Sequence, residues 1–132
     1  LIIISAILKF KKGNKKEIEE KIKGYLNYRK KNQPLNFSSA GSVFKNPLPA
    51  KILKKFRRAS GFSAGELIEK CGLKGKKIGN AKISEKHASF IVNLGNANAK
   101  DVKSLINLAK KAVRNKFHVG LREEIQYLPP KF

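Results

Sequence analysis

The chain has 132 residues, enough for one compact domain with a single hydrophobic core. Its hydrophobic content of 41% is typical of a folded protein and argues against disorder. The longest apolar run covers only residues 1–4, whereas a membrane-spanning helix needs about 20 apolar residues. We therefore expect a globular domain with neither a membrane span nor a signal peptide.

The net charge is extreme, at +21 from 30 basic and 9 acidic residues. Such a charge is typical of nucleic-acid-binding proteins, but it also arises from a biased composition. Most of the basic residues are lysines spread over the whole chain, whereas base-reading proteins favour arginine and place aromatic residues among the basic ones. We interpret the charge as compositional and expect no specific nucleic-acid partner. A small basic nucleic-acid-binding module, supported by the cluster at residues 51–58, remains the alternative.

Cys71 is the single cysteine of the chain. It has no partner for an internal disulfide and no second ligand at the spacing of a metal site, so we expect a reducing, cytoplasmic location and no metal. The residue lies in an apolar pattern with helical spacing, which favours a small core residue over a reactive thiol.

The first predicted element is a buried strand over residues 1–10, and because the sequence opens inside this apolar run we expect a further portion upstream. Asn14 can cap a helix from residue 15 to about residue 31, which Pro34 ends. The helix carries apolar residues at helical spacing on one face. They are Ile18, Ile22, Tyr25 and Leu26.

The next constrained segment starts at Gly41, which permits unusual backbone angles. Val43 and Phe44 favour a short extended piece, and Pro47 closes it. Residues 48–61 then fit either a short amphipathic helix or a mobile basic loop.

A capping box predicts the start of the second helix. Ser63 is followed three residues later by Glu66, and the helix should run from residue 64 to about residue 71. Gly72 should end it.

The remaining elements are a strand over residues 88–94, a long helix that Asn98 caps and that runs to about residue 117, and a last strand over residues 121–128. Gly120 is predicted to break the helix. This order of strands and helices indicates the α+β class, as a small mixed domain of short strands with flanking helices.

Four polar residues stand where the chain is tightly constrained. Ser42 follows a glycine and precedes two bulky residues, so its hydroxyl should be held rigidly. Asn46 precedes a proline, which keeps it out of helical geometry. His87 comes just before the most apolar strand, and Glu124 lies in the last strand of a chain that is poor in acidic residues. Taken alone, each is more often structural than functional.

Several segments together resemble one enzyme family, the UDP-N-acetylenolpyruvoylglucosamine reductases. Residues 39–47 (Ser-Ala-Gly-Ser-Val-Phe-Lys-Asn-Pro) look like the family's serine motif, and four further segments match in the same order. These are residues 33–35 (Gln-Pro-Leu), 64–75, 78–93 and 117–125. The resemblance covers most of the chain from residue 33 onward.

The resemblance implies a mechanism. In this family FAD is reduced by NADPH and passes a hydride to the enolpyruvyl group of a UDP-sugar in peptidoglycan precursor synthesis. Ser42 matches the serine that donates the proton, and Glu124 matches the family's acid–base glutamate. We choose it over its neighbouring glutamate because it directly precedes an apolar residue, as the family's glutamate does. Asn46 and His87 align with substrate-contacting positions, and Lys45 is suited to neutralising the diphosphate.

The resemblance also has limits. Residues 48–60 are longer and more basic than the turn usual in the family, and Glu66 stands where a basic residue is common. No segment resembles the flavin-binding domain, so residues 1–33 are predicted to be a strand and helix from the end of that domain. Residues 34–132 are predicted to be the C-terminal substrate-binding domain. Such a chain is not expected to hold FAD or NADPH or to be active alone, and a non-catalytic remnant domain is the further alternative.

Overall fold

The computed structural model describes residues 3–48 and 62–128. These residues form a mixed domain of three helices and four short strands, which confirms the α+β class. In chain order the elements are α1 (Lys15–Asn32), β1 (Ser38–Ser42), α2 (Ala64–Lys70), β2 (Lys77–Ile78), β3 (Ala81–Ile83), β4 (Phe90–Asn93) and α3 (Ala99–Phe117). Most of the basic segment that follows residue 48 lies outside the described residues.

The four strands form one antiparallel sheet in the order β1-β4-β3-β2. β2 and β3 form a short hairpin. β1 pairs with β4, although the two strands are far apart in the sequence. β1 therefore lies at an edge of the sheet, and β4 is the only described strand that pairs with it.

The core lies where α2 and α3 meet the sheet. α3 packs on β2, β3 and α2, and its apolar residues recur at the three- and four-residue spacing of a helix face. The buried residues of α3 are Leu105, Ile106, Ala109, Val113 and Phe117, and α2 adds Leu67 and Ile68. α3 thus packs on the sheet directly, and α2 adds its buried residues to the same core through α3.

The predicted N-caps of all three helices are confirmed. The side chain of Asn14 accepts hydrogen bonds from the first turn of α1. Ser63 and Glu66 form the capping box of α2. Asn98 forms a second capping box with Asp101 at the start of α3. Each cap satisfies backbone N–H groups that have no partner within the helix.

The strand predicted over residues 1–10 is not formed in the part that the structure describes. Residues 3–10 have no regular structure, and their apolar side chains are exposed, with Ile7 fully exposed. A strand is stable only when its backbone groups pair with a neighbour, and none of the four described strands pairs with these residues. An apolar sequence alone was therefore not sufficient for a strand.

The helix predicted from residue 15 forms almost as expected, but none of its residues is buried. The face that carries Ile18, Ile22, Tyr25 and Leu26 is at least 46% exposed at every one of these residues. One hydrogen bond, from Lys86 Nζ to the carbonyl of Lys30, joins α1 to the sheet region. The apolar face of α1 is thus uncovered by the described residues.

α3 ends at Phe117, as predicted, but a different residue ends it. His118 adopts a left-handed conformation with φ of 57°, two residues before the glycine that was expected to break the helix. The strand predicted over residues 121–128 is reduced to one antiparallel bridge, between Phe44 and Glu123. Among the described residues, no helix is both long and apolar enough to span a lipid bilayer.

Candidate functional site

Ser42 is the last residue of β1 and lies at an irregularity of the sheet. Ser39 pairs with Val92 and Ser42 pairs with Phe90, so β1 has one residue more than β4 between these two pairs. Gly41 absorbs this extra residue with φ of +80°, a conformation that side chains strongly disfavour. The bulge leaves the Ser42 side chain exposed at the end of an edge strand. The sequence placed the extended piece at Val43 and Phe44, whereas in the structure the strand comes earlier and ends at Ser42.

Glu124 lies directly beside the residue that follows Ser42. The backbone N–H of Glu124 donates to the carbonyl of Val43 at 2.8 Å, and the N–H of Lys45 donates to the carbonyl of Arg122 at 2.9 Å. Residues 122–124 therefore run antiparallel to residues 43–45. The structure thus brings together the two segments that carry the predicted serine and glutamate. Their chemical roles stay predictions.

The two neighbouring glutamates have different environments. The Glu123 carboxylate is bound by Lys110 Nζ and by the hydroxyl of Tyr127 at 2.6 Å. The Glu124 side chain is exposed and has no hydrogen bond or ion pair with any described residue. Of the two carboxylates, only that of Glu124 is free of partners among the described residues, and the role predicted for it from the sequence stays a prediction.

Asn46 and His87 both lie against the start of α2. The Asn46 side-chain oxygen accepts a hydrogen bond from the N–H of Ala64 at 3.0 Å. A Cβ on Gly65 would lie 3.0 Å from Cε1 of His87, so the glycine makes room for the imidazole ring. The ring also meets Phe90 edge to face, with centroids 5.0 Å apart. Packing from both sides therefore fixes the position of His87.

The hydrogen bonding of His87 defines its tautomer. Its Nδ1 accepts from the backbone N–H of Ser89 at 3.2 Å, so the ring is neutral with its proton on Nε2. Burial lowers the pKa of His87, and the positive charge of Lys74 lowers it further, against smaller opposing effects of a backbone hydrogen bond of His87 and of the negative charge of Glu69. The arrangement suits a hydrogen-bond donor that stays neutral at physiological pH.

Lys45 and Arg122 line one cavity together with Asn46. The cavity has a volume of about 220 Å³, and the remaining lining residues are Pro47, Leu48 and Gly120. Two cations and an amide around a small cavity can bind an anionic group such as a phosphate. Arg122 was missed from the sequence, where the only signal was its position just before the two glutamates.

The predicted site residues do not all share a single cavity. His87 lines a smaller one of about 140 Å³, with Glu66, Glu69 and Lys86 among its neighbours. A third cavity, of about 370 Å³, lies between β1, the start of α3 and Ile125. The described residues hold no cluster of three or more potential metal ligands.

Comparison with known proteins decides the family. Residues 33–128 match the family model described as "UDP-N-acetylenolpyruvoylglucosamine reductase, C-terminal domain". The chain belongs to this family. That result confirms the resemblance found in the sequence, and the match begins at the last residue of the segment predicted to belong to another domain.

Individual relatives agree with the family assignment. A UDP-N-acetylenolpyruvoylglucosamine reductase of Anoxybacillus flavithermus is 45% identical over 98% of this chain and 39% of its own length. The protein of the same name from Fervidobacterium nodosum is 48% identical over 96% of this chain and 37% of its own length. The chain thus spans about two fifths of these relatives.

A solved structure supports the fold. The crystal structure of a UDP-N-acetylenolpyruvylglucosamine reductase from Thermus caldophilus is similar with a TM-score of 0.66 and 37% sequence identity. The similarity covers 92% of this chain and 38% of the Thermus chain. The domain described above is therefore a reductase C-terminal domain in fold as well as in sequence.

Proposed function

We propose that this chain is the C-terminal, substrate-binding portion of a flavin-dependent reductase that converts UDP-N-acetylenolpyruvoylglucosamine to UDP-N-acetylmuramate with NADPH. The product is a peptidoglycan precursor, and its nucleotide-sugar chemistry, with the single free cysteine, suits the cytoplasm. The observation that carries the proposal is the backbone hydrogen bond between Glu124 and Val43, the residue after Ser42. Family membership supports it.

Ser42 is the proposed proton donor. When bound, reduced flavin supplies a hydride to the enolpyruvyl double bond, and the neighbouring carbon must then receive a proton. The exposed Ser42 hydroxyl is held at a bulge next to two buried residues, Val43 and Phe44, so it can be presented to substrate in a fixed position. Serine is a weak acid, so proton loss requires nearby positive charge or donors.

Two cations lie on the segments that pair next to Ser42. Lys45 and Arg122 belong to residues 43–45 and 122–124, and both line the cavity that fits a phosphate-sized group. We assign them to the diphosphate, with Asn46 and neutral His87 as further hydrogen-bonding groups for the UDP-sugar. Glu124 is assigned to returning a proton to the serine after each turnover, since a carboxyl group can both accept and donate one.

The flavin is expected to be held mainly by residues outside this chain's described part. The largest of the three cavities described above measures about 370 Å³, at the low end of the range for a drug-sized ligand, and FAD is larger than such a ligand. We assign residues 1–33 to the end of a flavin-binding domain and residues 34–132 to the substrate-binding domain. The exposed apolar side chains of residues 3–10 and of α1 support the first assignment. The family match over residues 33–128 supports the second. The fragment alone is then expected to be inactive.

The test is a pair of serine variants in the full-length, FAD-loaded reductase. Ser42→Ala should slow reoxidation of reduced flavin by the enolpyruvyl substrate by about 10²- to 10⁴-fold, the usual contribution of general acid catalysis. Reduction of the flavin by NADPH should keep its normal rate. Ser38→Ala is the matched control, because Ser38 is also an exposed serine of β1, and it should retain both rates. Equal loss of both half-reactions in Ser42→Ala, or equal effects of the two variants, would refute the assignment.

A further inference from the structure

The side chain of Glu123 joins the C-terminal segment, defined here as residues 119–128, to α3. Lys110 Nζ binds one carboxylate oxygen of Glu123, and the hydroxyl of Tyr127 donates to the other at 2.6 Å. The ammonium group of Lys103 lies 4.6 Å from the centre of the Tyr127 ring. Lys103 and Lys110 are separated by two helical turns, so they lie on one face of α3. The C-terminal segment is thus attached to α3 at two points.

The charges of this cluster agree with its geometry. Burial would raise the pKa of Glu123, but the hydrogen bonds from Lys110 and Tyr127 and the two lysine charges together hold it below its ordinary value. Burial and the neighbouring carboxylate raise the pKa of Tyr127 to about 12. At neutral pH an ionised Glu123 therefore accepts from a neutral phenol and a charged ammonium group.

The attachment has a consequence for the adjacent Glu124. The backbone of Glu123 bridges Phe44, and the N–H of Glu124 bonds to Val43. Successive side chains of an extended segment point to opposite faces. With Glu123 directed toward α3, Glu124 is directed away from it. A slip of one residue would exchange the two faces and place Glu123 where Glu124 now lies.

We propose that Glu123, held by Lys110 and Tyr127, is a positioning residue that fixes the register of residues 122–124 on residues 43–45. In that register Glu124, and not Glu123, is presented at the Ser42 end of β1. The proposal rests on the proposed function of Glu124. It adds that the contacts of Glu123 with Lys110 and Tyr127 determine which of the two adjacent glutamates lies near Ser42.

The experiment uses the full-length, FAD-loaded reductase and measures both half-reactions in single turnovers. Lys110→Met removes one partner of Glu123 and should slow flavin reoxidation by the enolpyruvyl substrate about tenfold, within the range of couplings between contacting residues. Lys110→Arg keeps the charge and should restore most of the rate. Lys111→Met is the matched control, since Lys111 is exposed on α3 and is not a partner of Glu123. Flavin reduction by NADPH should be normal in all three.

A double-mutant cycle separates positioning from a general loss of stability. If Glu123 acts through Glu124, adding Lys110→Met to Glu124→Gln should cause no further loss. An equal factor in both backgrounds, or full activity of Lys110→Met alone, overturns the positioning role. A fully active Glu124→Gln variant instead overturns the proposed function of that glutamate, so the two failures are distinguishable. Tyr127→Phe removes only the hydroxyl from the cluster and should slow flavin reoxidation by a smaller factor than Lys110→Met does. A normal reoxidation rate in Tyr127→Phe counts against the proposal.

Discussion

Two buried serines beside His87 allow a matched stability test. Ser84 and Ser89 are each 3% exposed, so replacing either by alanine removes one hydroxyl oxygen from an equally buried position. The Ser84 hydroxyl accepts from the N–H groups of Lys86 and His87, at 3.2 and 3.4 Å. The Ser89 hydroxyl has no hydrogen-bond partner among the described residues. The two substitutions should therefore have different costs.

The expected magnitudes follow from hydrogen-bond energetics. Ser84→Ala should lower the free energy of unfolding by about 1–3 kcal/mol, because two N–H groups of a tight turn lose their acceptor. Ser89→Ala removes a buried unpaired hydroxyl and should change stability by less than about 0.5 kcal/mol, or increase it. Urea unfolding of the chain, followed by circular dichroism, measures both. Equal costs for the two variants, or a larger cost for Ser89→Ala, would refute the reasoning.

Two further predictions concern stability. Gly79→Ala should lower the free energy of unfolding by about 2–4 kcal/mol, because the new Cβ would lie 2.4 Å from the Asp101 carboxylate. Gly72 also has a positive φ, but a Cβ there would have no atom within 4 Å. Gly72→Ala should therefore lower the free energy of unfolding by only about 1–2 kcal/mol. Urea unfolding of the pair tests this, and equal costs contradict it. His87 has a pKa lowered chiefly by burial, so its contribution to stability should be complete above its ordinary pKa of 6.5 and decline as the pH falls below that value. His87→Gln should reduce this pH dependence of the thermal midpoint, and an unchanged pH dependence in that variant would contradict the prediction.

The helix starts were predictable because their signals are local. Asn14, Ser63 and Asn98 each carry a side chain that accepts from a backbone N–H two or three residues later. Such a cap depends on a few consecutive residues, so the sequence contains it whole. The unusual backbone conformation of Gly41 was also foreseeable from the residue type, although the strand and the bulge around it were not.

Features that depend on a distant partner could not be read in the same way. Residues 1–10 have the composition of a strand, yet residues 3–10 pair with none of the described strands. The last segment, predicted as a full strand, finds a neighbour only near Phe44 and forms one bridge. Arg122 lines the cavity beside Lys45 because of the same long-range pairing, so its position could not be predicted either. Periodicity gives the tendency to be extended, but pairing decides whether a strand forms.

The position of Ser42 follows from a change of partner along the chain. Up to Ser42 the chain pairs with β4. At Val43 the partner changes: its N–H donates to the carbonyl of Ser89, but its carbonyl accepts from the N–H of Glu124 in the C-terminal segment. Val43 and Phe44 are consecutive and both buried, at 2% and 3% exposure, so this part of the chain is covered on both faces. A segment that is bonded on two sides and buried on two faces cannot move without breaking the core. The backbone just before it, which carries the exposed Ser42 hydroxyl, is consequently anchored to the core, and such anchoring suits the proton transfer proposed for Ser42.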